Sequence, residues 1–325
     1  MTDLPGAFVV SLDFELHWGM RDVAEPAEAS AVLIESRSVV RELVALFEER
    51  QIRATWATVG MLFASSLVQL EPFLPLSRPH YLRDELDPYK EEIGPDEESD
   101  PLHLAGSLVH LIAEAPGQEV GSHTFSHFYC LEAGQDEKAL RADLASAQTI
   151  AESIGIKLTS LVLPRNQWNP AYCGAVRDSG FNCYRGPQPS WGHQARAVTD
   201  TSGLRRAARL ADTYAGIGPP PTTAWEQTLE GDGITNVPAS AFLRPYARQL
   251  RHLGVLQHRR LVSGLRDAAR RGRIFHLWWH PHNFVRDRTE NFDRLNRLLD
   301  EFGSLARSDG LRSMSMCDVA SAASD

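Results

Sequence analysis

Short apolar runs alternate along the chain with longer stretches of helical period, and this alternation limits the folds that the chain can adopt. Residues 7–12 form a β-prone apolar run, residues 28–49 repeat apolar side chains near every third or fourth position, and residues 53–59 form another strand-like run. A strand, a helix and a strand in this order predict a βαβ unit with parallel strands. Because the pattern continues almost to the end of the chain, it predicts an α/β fold with a barrel-like parallel architecture.

Two stretches interrupt the alternation. Residues 71–117 are rich in Pro, Asp and Glu near their start, and residues 186–233 are rich in Pro and Gly, so we expect two loop insertions over the core. We expect one domain over residues 1–325, since that length can bury a full core. The remaining predicted strands are 118–122, 158–163, 181–184, 234–239 and 274–279, and the remaining helices are 137–154, 171–179, 242–271 and 291–302.

Composition narrows the functional classes. The chain carries 33 Lys and Arg against 42 Asp and Glu, a net charge of −9, which argues against broad binding to nucleic-acid phosphates. No apolar run approaches the roughly 18 residues of a membrane-spanning helix, and acidic residues interrupt the N-terminal region. We therefore expect no transmembrane segment, a cytoplasmic location and no nucleic-acid partner.

The most specific chemical feature is a pair of histidines. His123 and His127 stand four residues apart directly after the predicted strand 118–122. On one helical turn, this spacing lets two imidazoles bind the same ion. Such a pair on its own is more often structural, but its position after a buried strand favours a metal site.

The end of the first predicted strand is also rich in ionisable groups. Asp13, Glu15 and His17 share one face of a strand by the two-residue period. Charged groups that leave an apolar run are costly to bury without partners, and a cation would satisfy them. The alternative is that the strand has already ended and that these are solvated loop residues.

Two further strand ends carry candidate residues. The run 274–279 leads into three histidines, of which His280 is best placed for chemistry, whereas His276 lies deeper and His282 lies in the following loop. After the run 158–163, Arg165 could pair with a buried carboxylate and Trp168 could form one wall of a sugar site.

Together these features resemble the polysaccharide deacetylases with a NodB-homology domain, the fourth family of carbohydrate esterases. The sequence His-Thr-Phe-Ser-His at 123–127 resembles the family's metal motif, and Ala-Thr-Trp-Ala-Thr-Val-Gly at 54–60 resembles its second strand. The first motif departs from the usual Thr-Phe-Asp-Asp, because residues 12–15 are Leu-Asp-Phe-Glu. Pro-Arg-Asn at 164–166 likewise replaces the usual Arg-x-Pro-Tyr.

The resemblance implies a distorted (β/α) barrel of the NodB-homology type, with two loop insertions. It implies a divalent metal, most simply Zn²⁺, with Co²⁺, Ni²⁺ or Mn²⁺ as alternatives. The implied metal ligands are Glu15, His123 and His127. The implied catalytic residues are Asp13 as base, His280 as acid and Arg165 as the residue that orients the base, with the roles of Asp13 and Glu15 open to exchange. Residues expected to contact the substrate are Trp18, Trp168 and His282.

The predicted function is metal-dependent removal of an acetyl or formyl group from an amino sugar or glycoconjugate precursor. Two alternatives remain open at this stage. One is hydrolysis of another C–N bond, such as that of a cyclic ureide, because fold and site logic allow it. The other is a catalytically silent carbohydrate-binding protein that has kept the fold.

Overall fold

The computed structural model describes residues 4–22, 26–187, 219–228 and 233–324, and within them nine parallel strands form one sheet. The strands, β1 to β9 in chain order, are Ala7–Phe14, Ala54–Thr58, Gln118–Ser122, Ser160–Leu161, Cys183–Tyr184, Thr235–Asn236, Ala241–Phe242, Ile274–Trp279 and Arg312–Met314. The helices, α1 to α8, are Pro26–Glu49, Leu67–Leu70, Gly106–Glu114, Glu137–Ser153, Cys173–Asp178, Gly254–Arg271, Arg288–Asp309 and Met316–Ser324.

The strands follow the order β6-β5-β4-β3-β2-β1-β8-β7, and the sheet curls into a half-barrel surrounded by helices. β2 pairs with β1 from Val10 onward, and β9 pairs with residues 7–9 of β1. Because every strand pair is parallel, the carboxyl ends of the strands meet at one edge of the half-barrel. That edge carries the residues considered below.

β1 is buried on both faces, as expected for a central strand of a parallel sheet. Its outer face contributes Phe8 and Leu12 to the large cluster beneath the helices, and its inner face contributes Val9 to a smaller cluster. The inner cluster also contains Met316 and Val319 of α8, so the last helix packs on the inner side of the sheet. Residues 7–10 of β1 are all apolar, so the polar side chains of this strand, Ser11 and Asp13, lie towards its carboxyl end.

The predicted α/β fold with a distorted barrel of parallel strands is confirmed, and some details differ. The predicted helix 242–271 begins only at Gly254, because residues 241–242 pair with β8 and Pro245 follows them. The first predicted insertion, 71–117, contains α3, which packs against β3, so only its first part is an irregular excursion. β9 and α8 were not predicted, since each is short.

Most of the second predicted insertion, 186–233, lies outside the described residues. Within the described ranges, every helix is too short or too polar to span a lipid bilayer.

Candidate metal centre

Four strand ends bring ionisable side chains together at the carboxyl edge of the half-barrel. Asp13 lies in β1, Glu15 follows β1 directly, and His123 follows β3 directly. Arg185 follows β5, and His280 follows β8. The chain segments that carry them are far apart in sequence, so the parallel sheet is what assembles the site.

Glu15, His123 and His127 form a compact set of metal-ligating groups. The Oε2 atom of Glu15 lies 3.4 Å from Nε2 of His123 and 3.2 Å from Nε2 of His127. The three ligand atoms all lie within 4.8 Å of one another, and all three residues are buried. Two imidazoles and one carboxylate leave a coordination position for water or substrate, which suits a catalytic zinc-type site.

The histidine tautomers also fit a metal. Nδ1 of His123 lies 2.8 Å from the carbonyl oxygen of Val162, so its N–H donates there and Nε2 keeps its lone pair. Burial lowers the pKa of His127 to about 3, which keeps that ring neutral and able to bind a cation. Burial opposes ionisation of Glu15, but the surrounding imidazoles, foremost His280, hold the pKa of its carboxyl well below the usual value.

The turn that carries the two histidines is held from α4. Thr124 and His127 adopt left-handed backbone angles, with φ of 63° and 58°. Asp143 accepts hydrogen bonds from the backbone N–H of Phe125 at 2.6 Å and of Ser126 at 3.1 Å, and also from the Ser126 hydroxyl. Burial raises the pKa of Asp143 to about 6. This carboxyl therefore stabilises a turn that the backbone alone would disfavour.

Asp13 lies beside the ligand set and is paired with arginine. Nη1 and Nη2 of Arg185 donate to its two carboxylate oxygens at 2.7 and 2.8 Å. The side chains of Arg185 and Asp13 are 0% and 4% exposed. Burial alone would raise the pKa of Asp13, but the charge and hydrogen bonds of Arg185 outweigh it and hold the pKa below its usual value.

A buried polar network holds Arg185 in place. Its Nη1 also donates to the Ser11 hydroxyl at 3.0 Å, and its Nε donates to Asn166 at 3.0 Å. The Ser11 hydroxyl lies 2.8 Å from Nε2 of His276, whose Nδ1 lies 3.1 Å from the carbonyl oxygen of Val237. His276 is fully buried, and burial lowers its pKa to about 3. His276 is thus a neutral structural residue of this network.

His280 faces both carboxylates. Its Nε2 lies 3.4 Å from Oε1 of Glu15 and 3.7 Å from Oδ2 of Asp13. Its side chain is 22% exposed, more than those of the two acids, so one side of the ring faces the open edge of the site. The ring of His282 stacks on it at 4.9 Å between centroids.

The structure corrects the role expected for Arg165. This guanidinium donates to Asp22 at 2.6 and 2.7 Å and lies 4.5 Å from the ring centre of Tyr129. The position next to Asp13 is filled by Arg185. Arg165 turns away because its own backbone takes a left-handed conformation with φ of 56°, directly after β4 and its short exit.

Trp18 and His17 also differ from expectation. Trp18 is fully buried and its indole N–H donates to the carbonyl oxygen of His103, so it offers no surface to a substrate. His17 does not share the face of Asp13 and Glu15, because β1 ends at Phe14 and the chain turns into a short 3₁₀ helix. His17 lies instead beside Glu91 and His103.

Half-buried aromatic rings flank the site. Trp168 stacks on Tyr184 with ring centroids 3.7 Å apart. The ring of Trp278 covers the Arg185 guanidinium at 4.3 Å, and Phe242 contacts both Trp278 and His280. Four residues of the site and its surroundings were not predicted from the sequence: Arg185, Trp278, Phe242 and Asp143. A signal existed for Arg185, which directly follows a predicted strand, and for Trp278, which shares the strand face of His276 and His280.

No protein-family model matches this chain, and no curated protein matches it in sequence. Its fold matches solved structures. A Mycobacterium smegmatis protein assigned as a polysaccharide deacetylase is 13% identical with a TM-score of 0.62, over 100% of this chain and 92% of that one. A Pseudomonas aeruginosa PAO1 protein with the same assignment is 12% identical with a TM-score of 0.57, over 98% of this chain and 91% of that one.

The structure of the PuuE allantoinase is also similar, with 13% identity and a TM-score of 0.56 over 98% of this chain and 90% of that one. One scaffold therefore occurs in proteins assigned to different reactions, and the likeness establishes architecture alone. At the level of the fold, the resemblance found in the sequence is confirmed: the chain adopts the NodB-homology fold of the polysaccharide deacetylases.

Proposed function

We propose that this protein is a metal-dependent hydrolase that removes an N-acyl group from an amino sugar or a glycoconjugate precursor. One observation carries the proposal: Glu15, His123 and His127 converge within 4.8 Å, directly beside the Arg185-paired Asp13. The three ligands would hold a divalent cation of the zinc class. When bound, such a cation polarises an acyl carbonyl and makes a water molecule acidic near neutral pH.

Asp13 is the general base in this proposal. Because Arg185 keeps its carboxylate ionised, Asp13 can accept a proton from the water that attacks the acyl carbon. A carboxylate retains acceptor sites even when both of its oxygens bind a guanidinium. Glu15, whose Oε2 lies against both histidines, is better placed as a ligand, which favours this assignment over the exchanged one.

His280 is the proposed general acid. Cleavage of an amide requires that the departing nitrogen gain a proton, since an amide anion is a very poor leaving group. Nε2 of His280 faces both carboxylates, and the ring is accessible from the open edge. The C–N bond then breaks as the amine takes the proton of His280.

The surroundings of the site support a carbohydrate substrate. Flat apolar ring faces can pack against a sugar, and Trp278, Phe242 and Trp168 lie half-buried around the carboxyl edge. His282, stacked on His280, is a further candidate for contact with substrate. We infer a nucleotide-linked or lipid-linked acylamino sugar as the substrate class, with cytoplasmic action on biosynthetic precursors.

The test joins metal content to amine release. Full-length protein loaded with Zn²⁺ and the double variant His123→Ala, His127→Ala are compared by mass spectrometry and by assay on N-acetylated and N-formylated sugars. His110→Ala, an exposed helix position, serves as the matched control and should retain both metal and activity. A loss of one bound ion per chain together with the loss of activity, in the double variant alone, supports the proposal, whereas a wild-type protein that binds no metal under replete conditions overturns it.

A second candidate function is hydrolysis of a cyclic ureide, favoured by the fold likeness to an allantoinase structure. The residues assigned above would serve either reaction, so the two functions must be separated by substrate preference. Allantoin and related ureides are therefore added to the substrate panel. A preference for ureides over acylamino sugars would replace the proposed substrate. Turnover of neither class by metal-loaded protein would favour the silent binding protein.

A further inference from the structure

A second group of potential metal ligands lies outside the site described above. It comprises His17 on the short 3₁₀ helix Leu16–Gly19, Glu91 after the 3₁₀ turn Pro88–Lys90, and His103 shortly before α3. Oε2 of Glu91 lies 3.4 Å from Nε2 of His17 and 4.0 Å from Nε2 of His103. One ligand atom from each of the three residues lies within 4.8 Å of the other two.

His103 is oriented as a metal ligand would be. Its Nδ1 lies 2.9 Å from each carboxylate oxygen of Asp100, so the Nδ1–H donates there and Nε2 carries a lone pair. Asp100 is fixed in turn by the backbone N–H groups of Gly94 at 2.8 Å and of His103 at 3.3 Å. A carboxylate that orients a histidine in this way is the usual outer partner of a metal-binding imidazole.

The Nε2 atom of His103 is unsatisfied without a ligand. The residue is only 8% exposed, and among the described residues no group forms a hydrogen bond with this atom. Glu91, at 4.0 Å, is beyond hydrogen-bonding distance. A buried nitrogen with no partner costs free energy, so a simple hydrogen-bonded cluster does not account for this arrangement.

The segments that carry the ligands are already held together by other contacts. The backbone N–H of His17 donates to the carbonyl oxygen of Leu102 at 3.3 Å, and the indole of Trp18 donates to that of His103 at 3.1 Å. The rings of His17 and His103 meet edge to face, with centroids 4.7 Å apart. The ligand geometry is therefore largely formed before any ion binds, which lowers the entropic cost of binding one.

We propose that His17, Glu91 and His103 bind a second divalent cation of the zinc class. Two imidazoles and one carboxylate suit Zn²⁺ better than Ca²⁺ or Mg²⁺, which prefer oxygen ligands. The side chains of His17 and Glu91 are 14% and 29% exposed, so water can reach the ion and fill the fourth position. The ion ties the loop around residue 91 to the turn that follows Glu15, and it stabilises the structure next to the first centre.

The experiment measures metal per chain on the full-length protein. Protein is loaded with Zn²⁺, desalted, and analysed by mass spectrometry together with its thermal unfolding midpoint. The wild type should hold two ions, and Glu91→Gln should hold one and lose part of the rise in melting temperature that Zn²⁺ produces. Glu92→Gln, an exposed acid at the next position, should behave as the wild type. His17→Gln provides a second test at a partly exposed ligand.

The two centres can be separated in the same experiment. His123→Ala with His127→Ala should also hold one ion, and adding Glu91→Gln to that pair should leave none. If the wild type holds one ion and Glu91→Gln still holds one, the second site is refuted while the first stands. If the wild type holds one ion, and that ion is lost in Glu91→Gln but kept in the His123, His127 double variant, the first centre is refuted and the second stands. No bound ion in the wild type refutes both.

Discussion

Replacing Arg185 with methionine should destabilise the protein by about 3–5 kcal/mol, the usual cost of removing one partner of a buried ion pair. The guanidinium makes two short hydrogen bonds to Asp13, and neither side chain is more than 4% exposed. Methionine keeps much of the aliphatic volume beneath Trp278, so a packing defect contributes little. The loss should come mainly from a buried carboxylate left without its main counter-charge.

The pH dependence of this loss has a defined sign. In the wild type, Arg185 holds the pKa of Asp13 below its unfolded value of roughly 3.9, so the stabilisation is present above that pH and disappears as the pH falls through the folded pKa. In Arg185→Met, burial should prevail and raise the pKa of Asp13. The ionised carboxylate then destabilises the folded state at neutral pH. The difference in the free energy of unfolding between variant and wild type should therefore shrink as the solution is acidified.

The measurement is urea unfolding of metal-free protein at pH 5 and pH 8, arranged as a double-mutant cycle. The cycle combines Arg185→Met with Asp13→Asn. We expect the double variant to be more stable at pH 8 than Arg185→Met alone, because it has no buried charge to leave unpaired. A parallel cycle with Arg165→Met should show little coupling to Asp13→Asn, since Arg165 pairs with Asp22.

The stabilising role of the Arg185–Asp13 pair is refuted if Arg185→Met unfolds at the same urea concentration as the wild type at both pH values. It is equally refuted if the coupling to Asp13→Asn belongs to Arg165 and not to Arg185. Deacylation by Arg185→Met should fall below that of the wild type, because a carboxylate with a raised pKa is ionised less at a given pH and is a less available base. Activity should not follow the stability order in the double variant, because Asp13→Asn removes the base itself.

Three further predictions follow from the same geometry. His280→Gln should retain metal, measured by mass spectrometry, and lower kcat by roughly 10²–10⁴-fold in amine-release assays through loss of the general acid. Asp143→Asn should flatten the pH dependence of the unfolding free energy between about pH 4 and 7. In the wild type, the folded pKa of Asp143 is raised to about 6, so the protein loses about 3 kcal/mol of stability as the pH rises through that value. Asn does not ionise, so the variant does not lose this stability. Gly60→Ala should weaken metal binding in a chelator competition assay, because the added Cβ would lie 2.8 Å from Cα of Phe125 in the turn that carries His123 and His127. Gly174→Ala is the control and should leave metal binding unchanged, because its Cβ would meet nothing within 4 Å.

The sequence predicted the scaffold well because a buried parallel strand leaves a local signature. β3 and β8 were predicted with the bounds that the structure shows, since each is an uninterrupted strand whose end is marked by histidines. The convergence of Glu15, His123 and His127 follows from the same logic, because parallel strands place their ends at one edge. The local sequence pattern was sufficient to place a site residue wherever the strand that carries or precedes it sets the direction of its side chain.

The pairing of arginines could not be predicted in this way. Arg165 and Arg185 both follow predicted strands, and nothing local separates them. Their roles depend on backbone conformation, since a left-handed angle at Arg165 directs it to Asp22, whereas Arg185 leaves β5 towards Asp13. Burial of Trp18 depends likewise on a contact with residue 103, which is distant in sequence.

The segment from Asp13 to His17 shows where the two-residue period applies and where it stops. Phe14 packs into the outer core, so Asp13 and Glu15 both face the centre on the other side. The period ends at Leu16, whose φ of 44° breaks the extended conformation and turns His17 towards Glu91. A non-glycine residue in this region is strained and needs support from its surroundings. A cation bound by His17 would supply such support one residue beyond the turn, and it would thereby help to fix Glu15 as a ligand of the first centre.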